Sequence, residues 1–193
     1  GKQWQGWHPT HMLSTQVSGK TLGIVGMGRI GLAMARMAHH GFAMRIVYSS
    51  RSAVAESVAM ELGAQCLPLD ELLQTTDFVS LHCPATPETR NLINAQKLRL
   101  MGEHAVLINT ARGDVVAEAD LVQALRDGVI AGAGLDAYAH EPAVPKELLD
   151  LEQVVLLPHM GSGTVETREA MGMCALANIE AHVAGQPLPH AVQ

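Results

Sequence analysis

Residues Gly26-Met27-Gly28-Arg29-Ile30-Gly31 have G-x-G-x-x-G spacing, and the chemistry that spacing serves is the cradling of a phosphate anion. Gly26 permits a tight turn, Gly28 lets backbone approach a pyrophosphate, and Gly31 lets a helix lie close on a strand. Glycine spacing recurs by chance, so its context decides. Here the loop follows the apolar run TLGIVG (21–26) and opens the amphipathic stretch RIGLAMARMAHHG (29–41). A helix starting there aims free N–H groups and the positive end of its dipole at an anion. The spacing therefore predicts a dinucleotide site that includes Gly26, Gly28, Arg29, Ile30 and Gly31.

About twenty residues further on, such sites usually carry an Asp or Glu that holds the adenosine ribose. This chain has Ser49, Ser50, Arg51 and Ser52 there instead. An acid would repel a ribose 2'-phosphate, whereas serine hydroxyls donate to it and a guanidinium clamps it. Each charge-assisted bond contributes about 1.5–3 kcal/mol, enough for about tenfold or more in affinity. Ser50, Arg51 and Ser52 are read as a 2'-phosphate site, with NADP(H) the preferred cofactor and NAD(H) the second candidate. The alternative is a solvated Arg51 and slack selectivity.

The elements around these residues alternate regularly. Strands are expected at TLGIVG, MRIVYS (44–49), DFVSLHC (77–83), HAVLINT (104–110), IAGAGLD (130–136) and VVLLP (154–158). Helices are expected at 29–41, ending on Gly41, and at 53–63, 70–75, 94–100, 118–128 and 164–185. The apolar runs lack in/out alternation, which marks strands covered on both faces and joined by right-handed crossovers. The fold class is α/β, a doubly wound parallel sheet of the Rossmann type. Residues 1–18 carry Trp4, Trp7 and Pro9 without periodicity and read as an extended arm. Residues 19–193 form the dinucleotide-binding domain with a C-terminal helix.

Composition narrows the partners. Hydrophobic residues are 48%, charged 17% and aromatic 3%, so the core must be aliphatic, and the methionines of 34–44 are read as packing. A formal charge of -6 speaks against nucleic acid or an anionic membrane as partner. The absence of a spanning apolar run and of a signal sequence points to the cytoplasm. Cys66, Cys83 and Cys174 fit no disulfide framework and read as buried free thiols. No metal is expected, since pairs such as His8/His11, His39/His40 and His182/His190 lack ligand spacing.

Three later stretches carry more chemistry: LHCPATPETRNLI (81–93), LINTARGDVV (107–116), and GLDAYAHEP (134–142) followed by LLPHMGSGT (156–164). With the glycine loop, in this order and spacing, the chain from about residue 4 onward resembles the D-isomer-specific 2-hydroxyacid dehydrogenases. That resemblance implies hydride transfer between a nicotinamide cofactor and a small 2-keto acid. It places Arg112 on the substrate carboxylate and keto oxygen, His159 as general acid/base, and Glu141 as the acid bonded to that histidine. Asp136 is expected near the nicotinamide carboxamide. Segment 82–86 with His82 and Pro84, then Thr89, Thr110, Ala111 and Gly161, is expected along the cofactor. His82 itself reads as a buried histidine bonded to backbone rather than a catalyst. The assigned residue types suit the reaction: histidine donates protons near neutral pH, a neighbouring carboxylate favours imidazolium, and guanidinium matches a carboxylate bidentately.

Within the family, Glu141 speaks against formate dehydrogenases, which pair their histidine with Gln. Ser50 speaks against phosphoglycerate dehydrogenases, which retain the acid. The YSSR stretch and WQGWHP arm look most like NADPH-preferring glyoxylate/hydroxypyruvate reductases. Two alternatives stay open: an NAD-dependent phosphoglycerate or D-lactate dehydrogenase, and a nucleotide-sensing interaction protein of the corepressor type. By the resemblance, the family's N-terminal substrate domain is expected to be missing from these 193 residues, which begin without an initiator Met. The two alternatives are a chain that binds nucleotide with little or no turnover and a longer native protein. By resemblance a homodimer is expected, with Trp4 and Trp7 buried at its interface.

Overall fold

The structure, a computed structural model, describes residues 6–11 and 13–191. It falls into two compact units, Gly1–Leu156 and Leu157–Gln193. The first is built on seven parallel strands: β1 (Thr21–Val25), β2 (Arg45–Ser49), β3 (Gln65–Cys66), β4 (Phe78–Leu81), β5 (Val106–Asn109), β6 (Gly132–Leu135) and β7 (Val154–Leu156). Between them run α1 (Arg29–Phe42), α2 (Glu56–Leu62), α3 (Leu69–Thr75), α4 (Ala95–Leu98), α5 (Glu118–Arg126) and α6 (Lys146–Leu149). A 3-10 turn, Gly113–Val115, follows β5. The strands lie in the order β3-β2-β1-β4-β5-β6-β7. The doubly wound parallel sheet expected from the apolar runs is present.

All five residues of β1 are buried, and its two-residue period sorts them between two helical layers. Leu22 and Ile24 join Ala35 and Ala38 of α1 and Leu62 of α2 in one core cluster. Val25 joins Leu72 and Leu73 of α3 in the other, which continues across β4 to β6. Burial of each such leucine or isoleucine contributes about 1.5–3 kcal/mol. Small residues Gly31, Ala35 and Ala38 form the buried stripe of α1, so this helix sits close on the sheet.

Several expectations need correction. Helix α1 runs through Gly41 and closes on Ala43, whose φ of 50° is left-handed. The buried Met44 fixes that point, because its amide donates to the Ala38 carbonyl at 3.2 Å. Of the neighbouring methionines, Met34 is half-buried and Met37 exposed. The three cysteines are free, but Cys66 and Cys174 are exposed and Cys83 half-buried. Cys66 lies on β3, an edge strand with both residues exposed. That strand, α6 and the 3-10 turn are too short to leave a period in the sequence. Trp7 is 85% exposed in the single chain, and Trp4 lies outside the described residues.

The second unit holds α7 (Val165–Val183), opened by Thr164, whose side chain accepts the Thr167 amide. None of the residues of α7 is buried. Among the described residues, no helix is long and apolar enough to cross a membrane.

Candidate functional site

Sheet growth reverses between β1 and β4, and such a switch point opens a crevice beyond the carboxyl ends of the strands. Short backbone bonds pin that end: the Gly26 amide donates to Ser49 O and the His82 amide to Val25 O, both at 2.8 Å. Gly26 has φ +96°, and a Cβ there would lie 2.7 Å from the Cys83 backbone nitrogen. A Cβ on Gly31 would lie 2.3 Å from Gly26 O, so only glycine permits this helix-to-turn approach. At Gly28 a Cβ would meet nothing within 4 Å: the backbone faces open space there. No side chain caps the first turn of α1 and no acid stands in it, so its free N–H groups and dipole suit an anion. These features fit a pyrophosphate.

A cleft of about 450 Å³ beside the loop is lined by Ile30, His82, Cys83, Pro84, Ala85, Thr110, Ala111 and Arg112. It thus brings together six of the residues singled out in the sequence, drawn from the first turn of α1 and the segments that follow β4 and β5. Burial pushes His82 down and the Cys83 thiol up, so both are neutral near pH 7. Arg112 is then the charged side chain among those lining the cleft. The His82 ring meets the Ser80 hydroxyl (Nε2 to Oγ, 2.9 Å), a side-chain partner where backbone was expected. Thr89 braces its own loop: its hydroxyl donates to Pro84 O at 2.6 Å and accepts the Thr86 amide at 2.8 Å.

Beyond β2, Ser50 is half-buried while Arg51 and Ser52 are exposed. Arg51 lies within electrostatic reach of Glu88 on the loop after β4. The Glu88 carboxyl is held below its usual range, first by a hydrogen bond with Thr86 and in lesser part by Arg51. Neither Glu88 nor its loop stood out as a charge partner in the sequence, since the two residues are far apart along the chain.

The turn carrying Arg112 is set by Asn109, 1% exposed at the end of β5. Its Nδ2 donates to Arg112 O at 2.9 Å, and its Oδ1 accepts the Ala111 amide at 3.1 Å. The guanidinium itself reaches back from Nη1 to Ala111 O at 2.7 Å. A Cβ on Gly113 would lie 1.9 Å from the Tyr138 carbonyl carbon. The loops after β5 and β6 are therefore in backbone contact at Gly113. On the second of them, Asp136 is 4% exposed and its amide donates to Asn109 O at 2.9 Å. Glu141 is exposed, and its Oε1 accepts the Tyr138 amide at 2.9 Å. Asn109, Gly113 and Tyr138 were not singled out in the sequence, although the glycine after Arg112 is the signal for a close approach.

Arg112, Asp136 and Glu141 belong to the first unit, and His159 and Gly161 to the second. His159 is exposed and has φ 52°, a left-handed conformation uncommon outside glycine.

Comparison with known proteins gives these features a frame. Residues 1–161 match the model of the D-isomer specific 2-hydroxyacid dehydrogenase family, NAD binding domain. The chain is 51% identical over 183 residues to a glyoxylate reductase of Thermococcus onnurineus, covering 95% of this chain and 54% of that protein. It superposes on a crystal structure of a Thermus thermophilus protein with TM-score 0.90 and 44% identity, covering 98% of this chain and 59% of that one. An acyclic imino acid reductase, solved with NADPH and D-Arg, is 30% identical with TM-score 0.85, covering 99% of this chain and 59% of that one. The chain thus spans little more than half the length of the relatives it matches.

Proposed function

This chain belongs to the D-isomer-specific 2-hydroxyacid dehydrogenase family, and we propose that it is the cofactor-binding part of a reductase acting on a small 2-keto acid. The observation that carries the proposal is the cleft in which the glycine loop, segment 82–85 and Arg112 come together. Glyoxylate is the first candidate substrate, as the name of the Thermococcus relative suggests, and hydroxypyruvate the second. The cofactor is a nicotinamide dinucleotide. Arg51 supports NADP(H) as its preferred form, as does NADPH in the imino acid reductase of the same fold.

When bound, the nicotinamide supplies the hydride. The protein's own residues then have three tasks. Arg112 pairs with the substrate carboxylate and polarises the neighbouring carbonyl. His159 holds the proton that passes to the keto oxygen. Glu141 serves as the acid that the family pattern pairs with that histidine. The neutral His82 and Cys83 leave the Arg112 charge undiluted where an anionic substrate would bind. A second copy of the chain is the proposed partner of the arm, with Trp7 (85% exposed) and Leu13 (77% exposed) as contact residues.

The test is NADPH oxidation with glyoxylate or hydroxypyruvate by the full-length protein. Saturable turnover that is lost in Arg112→Ala and His159→Gln is expected, while the present chain alone binds cofactor without turnover. Oxidation no faster than background in the full-length protein would favour a nucleotide sensor.

A further inference from the structure

The loop that carries Arg51 leaves β2 after Ser49 and enters α2 at Glu56. Arg51, Ser52 and Ala53 are exposed, so packing does little to order them. The ends of the loop are held differently. At its entrance, Ser49 O accepts the Gly26 amide at 2.8 Å. At its exit, the Val54 amide donates to Oη of Tyr48 at 3.2 Å. Tyr48 stands on β2, paired with Ile24 of β1 and Cys66 of β3. It is 2% exposed, with its ring in the core among Leu22, Ile24 and Leu62. Its carbonyl accepts the Leu67 amide at 2.9 Å, so ladder and core together fix where the hydroxyl points.

A hydroxyl in an aliphatic core needs a partner, and here the partner is the backbone where the loop returns. We infer that Tyr48 is the positioning residue of the 2'-phosphate loop, latching its exit to the sheet so that Arg51 and its serines are held in place before the ligand arrives. The inference rests on the reading of Arg51 as the 2'-phosphate clamp. A loop pinned at both ends has fewer conformations to lose on binding, and the gain falls on whichever ligand engages the loop. NADPH engages it through its phosphate, whereas NADH has no anion to offer there. Tyr48 therefore acts on selectivity rather than on dinucleotide affinity in general.

The experiment measures dissociation constants of NADPH and NADH for the chain and for Tyr48→Phe, Arg51→Ala and the double variant, with amide hydrogen exchange at Val54 as an independent readout. Phenylalanine keeps the ring in the core, so the fold is retained, as circular dichroism will check. NADPH affinity should fall about fivefold in Tyr48→Phe, the worth of one neutral hydrogen bond, with NADH unchanged. Exchange at Val54 should quicken, and the substitution should have no further effect in the Arg51→Ala background. If Arg51→Ala removes the NADPH preference while Tyr48→Phe moves neither preference nor exchange, the latch is wrong and the Arg51 reading stands. An equal loss for both cofactors in Tyr48→Phe would also overturn it, as a merely structural role. If Arg51→Ala itself leaves the ratio of the two constants unaltered, the clamp fails and the latch with it.

Discussion

The turn after β1 and the loop after β2 lie side by side at the carboxyl end of the sheet and are held by opposite means. In the turn, backbone meets backbone: side chains at Gly26 or Gly31 would intrude to 2.7 and 2.3 Å on neighbouring main-chain atoms. In the loop, exposed side chains project from a span anchored at its ends, one anchor being a buried hydroxyl. The turn suits the pyrophosphate that every dinucleotide carries, and rigidity costs it nothing in range. In the proposed reading the loop faces the ribose, where NADH and NADPH differ. Replaceable side chains on a latched span can alter selectivity without disturbing the fold.

The strongest way to break this contrast is to put a side chain into the turn. Gly31→Val should destabilise the protein by about 2–3 kcal/mol through overpacking against a carbonyl that cannot move aside. Binding of NADH and NADPH should fall together, and urea denaturation with titration of both cofactors checks it. Arg51→Ala attacks the loop instead. It should weaken NADPH about tenfold or more while leaving NADH affinity and the melting temperature unchanged.

The amino end of the same sheet supplies a control away from both loops. There Asp77 accepts the Thr21 amide at 2.8 Å and lies 3.4 Å from both Lys20 and His104. Burial alone would raise its carboxyl, but the Thr21 bond, Lys20 and His104 together bring it below the usual value. A depressed folded value means the carboxylate stabilises the fold above the unfolded pKa, about 4, and loses that effect as pH falls through the folded value. Asp77→Asn should therefore cost about 1 kcal/mol at pH 7, shrinking toward zero at low pH, with cofactor binding untouched. Melting curves from neutral to acid pH show either pattern.

A smaller effect sharpens the point about backbone conformation. Ala43 holds a left-handed φ of 50° that glycine adopts freely. Ala43→Gly should stabilise by about 0.5–1 kcal/mol, strain relief outweighing the extra freedom of the unfolded chain, as thermal melting would show. Glu88→Gln should do least. Removing an exposed charge that competes for Arg51 should tighten NADPH about twofold at low salt and less at high salt.

The same contrast explains what could be read from the sequence. Buried parallel strands leave continuous apolar runs, and the glycine turn needs glycine at fixed spacing, so both were legible. Arg112 and the segment around His82 were placed by motif, and the structure brings them to one cleft. Tyr48, Asn109 and Gly113 were not seen, because each acts through a contact made across loops. Tyr48 looks like any strand aromatic until its hydroxyl is found on Val54. Gly41 misled for a related reason: where α1 stops is set by the burial of Met44, which overrides the residue that most readily ends a helix. Glu88 could not be paired with Arg51 without the strand order that sets their loops on either side of the glycine turn.

The central claim is that the loop after β2 selects for the 2'-phosphate. The most direct measurement is the ratio of NADH to NADPH dissociation constants for this chain, by calorimetry or nicotinamide fluorescence. The structure leads us to expect about tenfold or more in favour of NADPH. Equal constants, or tighter NADH, would contradict it and leave Arg51 a solvated charge.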